Sequence, residues 1–307
     1  MRALQILIVA AFLVLAAMFA VRLITRGPAP VSSSRAHIQG SRPLAAAPAA
    51  PPPQAGCPRA PGFIGAAARN AASLDTAAWS AFGRAESGWR TYAVLTAREI
   101  STSCPPEADG FAQALAGWQR AHGLADLGIM DEPTLTALRT TWLLRRPFVA
   151  ATAHGACPAP PSPDRLAWAR PDEVYGGKPA ALRADALEAY RALLAAARRE
   201  LPELARERRL LSIFSGYREP LADLADCEAS GDCGTVARAR CSAHRTGLAV
   251  DLYLGEAPGH RLDSADDVNR RYLSQTPAYR WLVANAARFG FVNYPFEPWH
   301  WEWAGEP

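Results

Sequence analysis

Lysine is all but missing from this chain: Lys178 stands alone among 33 basic residues, and the remainder are arginines. That bias reflects coding composition and carries no functional information. A concentrated basic face is also missing. The net charge of +4 comes from 33 basic against 29 acidic residues spread along the chain. The densest cluster, Arg198, Arg199, Arg206, Arg208 and Arg209, is interleaved with Glu200, Glu203 and Glu207. Mixed charge of that kind is a solvated helix end, so the charge pattern argues against a nucleic-acid partner. There is no CxxC pair, which weighs against a thiolate metal site. Half the chain is hydrophobic and a fifth is charged. This ordinary globular composition excludes wholesale disorder, collagen-like repeats and a polytopic membrane protein.

What is present begins with an apolar run. From Ala3 to Val21 only Gln5 is polar, and Arg2 precedes it. Nineteen residues at about 1.5 Å each nearly span a hydrocarbon core of roughly 30 Å. A cleaved signal would be shorter and end in small residues; here Ala17-Met18-Phe19-Ala20 puts bulky residues at the exit. Residues 1–26 are therefore expected to act as a membrane anchor, with a cleaved signal as the alternative. Arg22 and Arg26 follow at once and oppose outward placement on the positive-inside rule, so the orientation, facing the periplasm or extracytoplasmic side, rests on the chemistry below. Residues 27–61 hold nine of the 26 prolines, including Pro51-Pro52-Pro53, among alanine and serine. Such a segment is predicted to be an extended tether.

Six cysteines suit an exported protein, and an even count in an oxidising compartment reads as disulfides. Cys57 and Cys104 form a natural pair. Cys157, Cys227, Cys233 and Cys241 allow three pairings, of which Cys227–Cys233 with Cys157–Cys241 ranks first. The rival is a zinc site using Cys233, Cys241 and His244.

At 307 residues the chain is too long for one average domain and short for three. The first folded piece is placed at 62–148. Within Phe111 to Trp142, Phe111, Leu115 and Trp118 recur at helical spacing, Gly123 ends that helix, and Asp131-Glu132-Pro133-Thr134 opens another. The sequence WQRAHGL, a glycine turn and a Pro-Thr-Leu helix together resemble the small helical peptidoglycan-binding domain found beside many cell-wall hydrolases. The family's DG turn is replaced here by Asp126-Leu127-Gly128. That resemblance implies a cell-wall polymer as partner; the alternative is a helical packing module without ligand.

The second piece, 149–307, carries the chemistry. The pattern predicts an amphipathic helix from Ala180 to Leu201 and a strand over Leu210-Leu211-Ser212-Ile213-Phe214 feeding the loop Ser215-Gly216-Tyr217-Arg218. A second strand is predicted from Leu248 to Leu254. A helix opens at Thr276-Pro277 and is capped at Gly290, and aromatic strand-like sequence runs from Phe291 to Trp303. Helices with non-repeating strands make the fold α+β.

His244 lies seven residues before Asp251, with Gly247 between them for a tight turn. Asp251 interrupts an otherwise apolar strand, where a lone carboxylate costs several kcal/mol unless it is paired or metal-bound. His300 follows Glu297 in Glu297-Pro298-Trp299-His300. Two histidines and one carboxylate make a three-ligand catalytic zinc set with a position left for water. A carboxylate three residues from a ligand suits the base that takes that water's proton. The alternative is satisfied core histidines with one structural ion pair. Trp299, Trp301 and Trp303 read as core, Glu302 and Asp263 as surface charges.

SAHRTGLAVD (Ser242 to Asp251) and EPWH (Glu297 to His300) look like the two signature motifs of the VanY-type D-alanyl-D-alanine carboxypeptidases. These are zinc DD-peptidases that share a fold with the hedgehog signalling domain. SGYR (Ser215 to Arg218) precedes them where that family has its substrate-contacting arginine. The resemblance implies a small antiparallel sheet with flanking helices and a zinc peptidase acting on peptidoglycan stem peptides. It implies His244, Asp251 and His300 as Zn2+ ligands, Glu297 as general base and Arg218 as transition-state and substrate contact. Ser242 maps to a position that helps hold the substrate's terminal carboxylate, and Tyr217 is a further candidate for that contact. Two other readings stay open: an endopeptidase cutting cross-links or another stem-peptide bond, and a wall-binding protein with an inert peptidase fold. The mark of the latter would be a missing ligand or base, and all are present.

Overall fold

The computed structural model describes residues 56–305 except 222–224, 226–227 and 230–240. The apolar N-terminal run, nearly all of the tether, Cys227 and Cys233 lie outside the described residues. Among the described residues no helix is long and apolar enough to cross a membrane.

The N-terminal region is built from four helices: α1 (Ile64–Ser73), α2 (Ala93–Glu99), α3 (Asp109–Ala121) and α4 (Glu132–Leu144). It is not purely helical, because β1 (Ala78–Trp79) pairs antiparallel with β2 (Glu86–Ser87). The predicted opening of α4 holds: the Asp131 side chain caps it by accepting from Thr134 N at 3.0 Å, with Pro133 in the first turn. Gln119 on α3 is fully buried and holds the α3–α4 turn. Its Nε2 donates to Ile129 O at 2.9 Å and Thr134 Oγ1 at 2.7 Å, and its Oε1 accepts from Gly128 N at 2.8 Å. Gly128 has φ +67°, and a Cβ there would lie 2.4 Å from Ala112 O. That is why the turn needs glycine at this position. The Cys57–Cys104 disulfide ties the start of the region to the loop before α3.

The C-terminal region carries a four-stranded antiparallel sheet in the order β5 (Ile213–Ser215), β6 (Ala249–Leu252), β8 (His300–Trp303), β7 (Phe291–Asn293). A second ladder pairs β3 (Leu166–Trp168) with β4 (Ala181–Arg183). All four residues of β6 are buried, as its run of Ala249, Val250 and Leu252 requires. Against the sheet packs α5 (Ala184–Glu200), burying Leu187, Tyr190, Leu193, Leu194 and Ala197. This helix begins four residues later than its periodicity suggests. Ala181–Arg183 are drawn into β4 instead, where Ala181 O also accepts from Tyr217 N at 2.6 Å and Arg183 N donates to Gly247 O at 2.8 Å.

Two further helices, α6 (Asp267–Leu273) and α7 (Pro277–Asn285), lie between β6 and β7 in the chain. Thr276 caps α7 by accepting from Tyr279 N, and Gly290 closes the turn after it at φ +78°. Trp299 and Trp301 belong to the core.

The two regions share buried contacts. Phe296, from the loop between β7 and β8, sits in the N-terminal hydrophobic cluster with Phe82, Tyr92 and Trp142. Arg270 on α6 is fully buried; it donates to Glu86 Oε2 at 2.8 Å, to Tyr92 OH at 2.7 Å and to Phe296 O at 2.7 Å.

Candidate metal centre

β6 and β8 are register neighbours, with Asp251 directly opposite His300. Facing residues of an antiparallel pair put their side chains on one face about 5 Å apart. Asp251 Oδ1 accordingly lies 2.9 Å from His300 Nδ1. His244 arrives from the chain just before β6. Ser242 caps the short 3-10 helix Ala243–Thr246, accepting from His244 N at 3.2 Å, and Gly247 turns the chain into the strand at φ +69°. His244 Nε2 lies 3.2 Å from Asp251 Oδ2, and its Nδ1 lies 2.7 Å from Gly216 O. That carbonyl is an acceptor, so Nδ1 carries the proton and Nε2 is left facing the cluster.

All three side chains are buried, and one potential ligand atom from each lies within 4.8 Å of the others. Two imidazole nitrogens and one carboxylate oxygen converging in this way are a donor set that fits zinc with one position open. Asp251 is held well below the usual carboxylate range: burial alone would raise it, and the two histidines more than reverse that. Burial pushes His244 down.

Glu297 sits in the loop between β7 and β8. The loop is closed by Glu297 N donating to Tyr294 O at 3.0 Å and His300 N donating to Glu297 O at 2.9 Å. Its carboxylate is 13 % exposed and lies 3.9 Å from His300 Nδ1. Burial pushes it up to about 7, with His300 opposing and Asp251 reinforcing the shift. A carboxyl group poised near neutrality beside a polar cluster is suited to proton transfer.

Arg218 comes in from the loop after β5. Its backbone N donates to His244 O at 3.4 Å, and its Nη2 donates to Ser242 Oγ at 2.8 Å. Arg218, Ser242 and His244 thus form one hydrogen-bonded group at the edge of the cluster. Tyr217 is half-buried and is tied through its backbone to Ala181.

Cys241, immediately before Ser242, is bridged to Cys157. This is the first-ranked pairing for these two cysteines, and it removes Cys241 from the rival thiolate site. Cys227 and Cys233 lie outside the described residues.

One reading is corrected. Glu302 is not a surface charge but 1 % exposed. Its Oε1 is 3.3 Å from His300 Nε2 and accepts from Arg146 Nε at 2.7 Å and from Arg146 Nη2. A signal for Glu302 was present, since i and i+2 on a strand share a face. Arg146 had none, because its partner is 156 residues away.

Residues 179–306 match the family model of VanY, D-alanyl-D-alanine carboxypeptidase. No curated protein matches the chain. Among solved structures, a mutant of the vancomycin-resistance D,D-pentapeptidase VanY from a VanB-type cassette, in complex with Zn(II), is 23 % identical. The alignment covers 48 % of this chain and 83 % of that one, with a TM-score of 0.27.

Proposed function

We propose that this chain, whose residues 179–306 form a VanY-type D-alanyl-D-alanine carboxypeptidase domain, is an exported zinc metallopeptidase that removes the terminal D-Ala from peptidoglycan stem peptides. One observation carries the reading: His244, Asp251 and His300 converge in a buried three-ligand cluster with the near-neutral carboxyl of Glu297 beside it. His244 Nε2, Asp251 and His300 Nδ1 would hold the zinc, which supplies Lewis acidity towards the scissile amide and a water.

Glu297 takes the proton of the attacking water and returns it to the leaving amine, a role its raised pKa suits. Arg218 presents a permanent planar cation, fixed by Ser242, to the charge that develops on the amide oxygen or to the substrate's terminal carboxylate. Ser242, hydrogen-bonded to Arg218, helps to hold that carboxylate, and Tyr217, next to Arg218 in the chain, is assigned the same task. The apolar run Ala3 to Val21 and the two disulfides support an anchored protein facing an oxidising compartment. The helical pair α3–α4 supports wall-polymer binding, which co-sedimentation of the whole chain with purified sacculi measures.

The deciding experiment incubates the full chain with a model pentapeptide and with digested muropeptides, with and without a chelator. Release of one terminal alanine that the chelator abolishes is the expected result. Loss of cross-linked dimers with no free D-Ala would instead make it an endopeptidase. Release that the chelator leaves untouched would overturn the metal assignment.

A further inference from the structure

We propose that Arg146, from the N-terminal region, is a positioning residue of the metal centre and acts through Glu302 on His300. The inference rests on the zinc-ligand reading above. His300 has two ring nitrogens with separate tasks. Nδ1 faces Asp251 at 2.9 Å, inside the cluster, while Nε2 points away from it to Glu302 Oε1 at 3.3 Å. A histidine that binds metal through one nitrogen usually donates its other N–H to a carboxylate or carbonyl, which fixes both the tautomer and the plane of the ring. Glu302 occupies that place, and it does so on rigid backbone, two residues along β8 from His300.

A buried carboxylate cannot hold this position unaided. Glu302 has four contacts: Arg146 Nε at 2.7 Å and Arg146 Nη2 on Oε1, His300 Nε2 at 3.3 Å also on Oε1, and Phe148 N at 3.1 Å on Oε2. Three of the four donors therefore come from the segment that follows α4, where Arg146 precedes the one-turn helix Pro147–Ala151. The Arg146 guanidinium also lies 3.9 Å from the centroid of the Tyr294 ring, which stands edge-on to His300 at 5.9 Å. Arg146 so constrains the imidazole on two sides.

A buried ion pair is by itself weak grounds for stability, because apolar replacements often serve equally well. What this pair does that an apolar pair could not is present an oxygen to the remote nitrogen of a ligand. Arg146 lies outside residues 179–306, so the stretch that matches the family model lacks one member of its own metal-site support.

The test compares zinc affinity, by chelator competition, in the full chain and in Arg146→Gln, Glu302→Gln, the double variant and Arg146→Lys. The absorption spectrum of the cobalt-substituted protein and a thermal melt accompany each. Loss of an outer partner of a ligand typically weakens metal binding about 10- to 100-fold. That loss is expected in each Gln variant, with an altered cobalt spectrum. The double variant should be no worse than the poorer single, because the two residues act in series. Arg146→Lys keeps the charge but not the planar fork, and should recover the fold with intermediate affinity; it decides the matter if Arg146→Gln does not fold. A lowered melt with unchanged zinc affinity and cobalt spectrum would overturn the proposal, as would losses that add. A wild-type chain that takes up no zinc would overturn the ligand assignment and this inference together, whereas unaffected variants of a zinc-binding chain overturn this inference alone.

Discussion

Glu297 and Asp251 show how two carboxyl groups a few ångströms apart acquire opposite properties. Asp251 faces two imidazoles at hydrogen-bond distance and stays ionised. Glu297 is desolvated with His300 no nearer than 3.9 Å, and burial dominates, lifting it to about 7. One is thereby suited to ligation and the other to moving protons. Glu297→Gln keeps the shape and removes the proton acceptor. Zinc content should be unchanged, and D-Ala release should fall by roughly 100- to 10,000-fold. An undiminished rate would move the base elsewhere. Loss of zinc together with rate would make Glu297 a ligand.

Among the elements, the turn into β6 depends on a glycine. Gly247 sits at φ +69°, and a Cβ there would meet Arg183 and Leu166 at 3.1 and 3.2 Å. A side chain in this backbone region costs roughly 1–2 kcal/mol. Gly247→Ala is therefore expected to lower the melting temperature and, by displacing the His244 turn, to weaken zinc binding; native affinity with a native melt would show that the turn relaxes freely.

The link between α5 and β5 depends on Glu173, whose side chain is fully buried. Its carboxylate accepts from Arg191 Nε at 2.9 Å and Arg170 N at 2.7 Å, while its backbone O accepts from Ile213 N at 2.8 Å. Burial would raise its pKa, but Arg191 and Arg170 more than offset this and the net shift is downward. A depressed folded pKa means that Glu173 contributes stability above the unfolded carboxylate value of about 4.3, and that this is lost as pH falls through that value towards the folded one. Glu173→Gln should flatten the acid side of the stability–pH curve. Identical slopes below pH 5 in urea titrations of both proteins would refute that.

At the scale of the molecule, two long-range ties end beside residues of the centre. The Cys157–Cys241 bridge closes 84 residues and ends one residue before Ser242. By chain entropy a loop of that size stabilises by roughly 4.5 kcal/mol at most. Reduction, or Cys157→Ser, is expected to lower the melting temperature and loosen zinc retention without removing a ligand. Native zinc retention in the reduced protein would confine the bridge to a stability role. Arg270 makes a second tie, joining Glu86 and Tyr92 of the N-terminal region to the carbonyl of Phe296, the residue before Glu297. The N-terminal region therefore supports the peptidase machinery as well as carrying a wall-binding candidate.

The identity of the candidate centre was legible in the sequence because its parts are local. His244 and Asp251 lie seven residues apart around an obligatory glycine, Glu297 and His300 three apart, and Asp251 is conspicuous as a charge in an apolar strand. Helix caps at Asp131 and Thr276 were legible for the same reason, since a cap is satisfied within one turn. Tertiary structure alone decided what depends on distant partners. It set β6 beside β8 in the register that brings Asp251 against His300, and it drew Ala181–Arg183 out of the predicted helix into pairing with Leu166–Trp168. It also buried Glu302. His300, two residues away, supplies one partner, but the guanidinium that completes the burial of that charge is Arg146, 156 residues earlier, whose position is known only once the chain has folded.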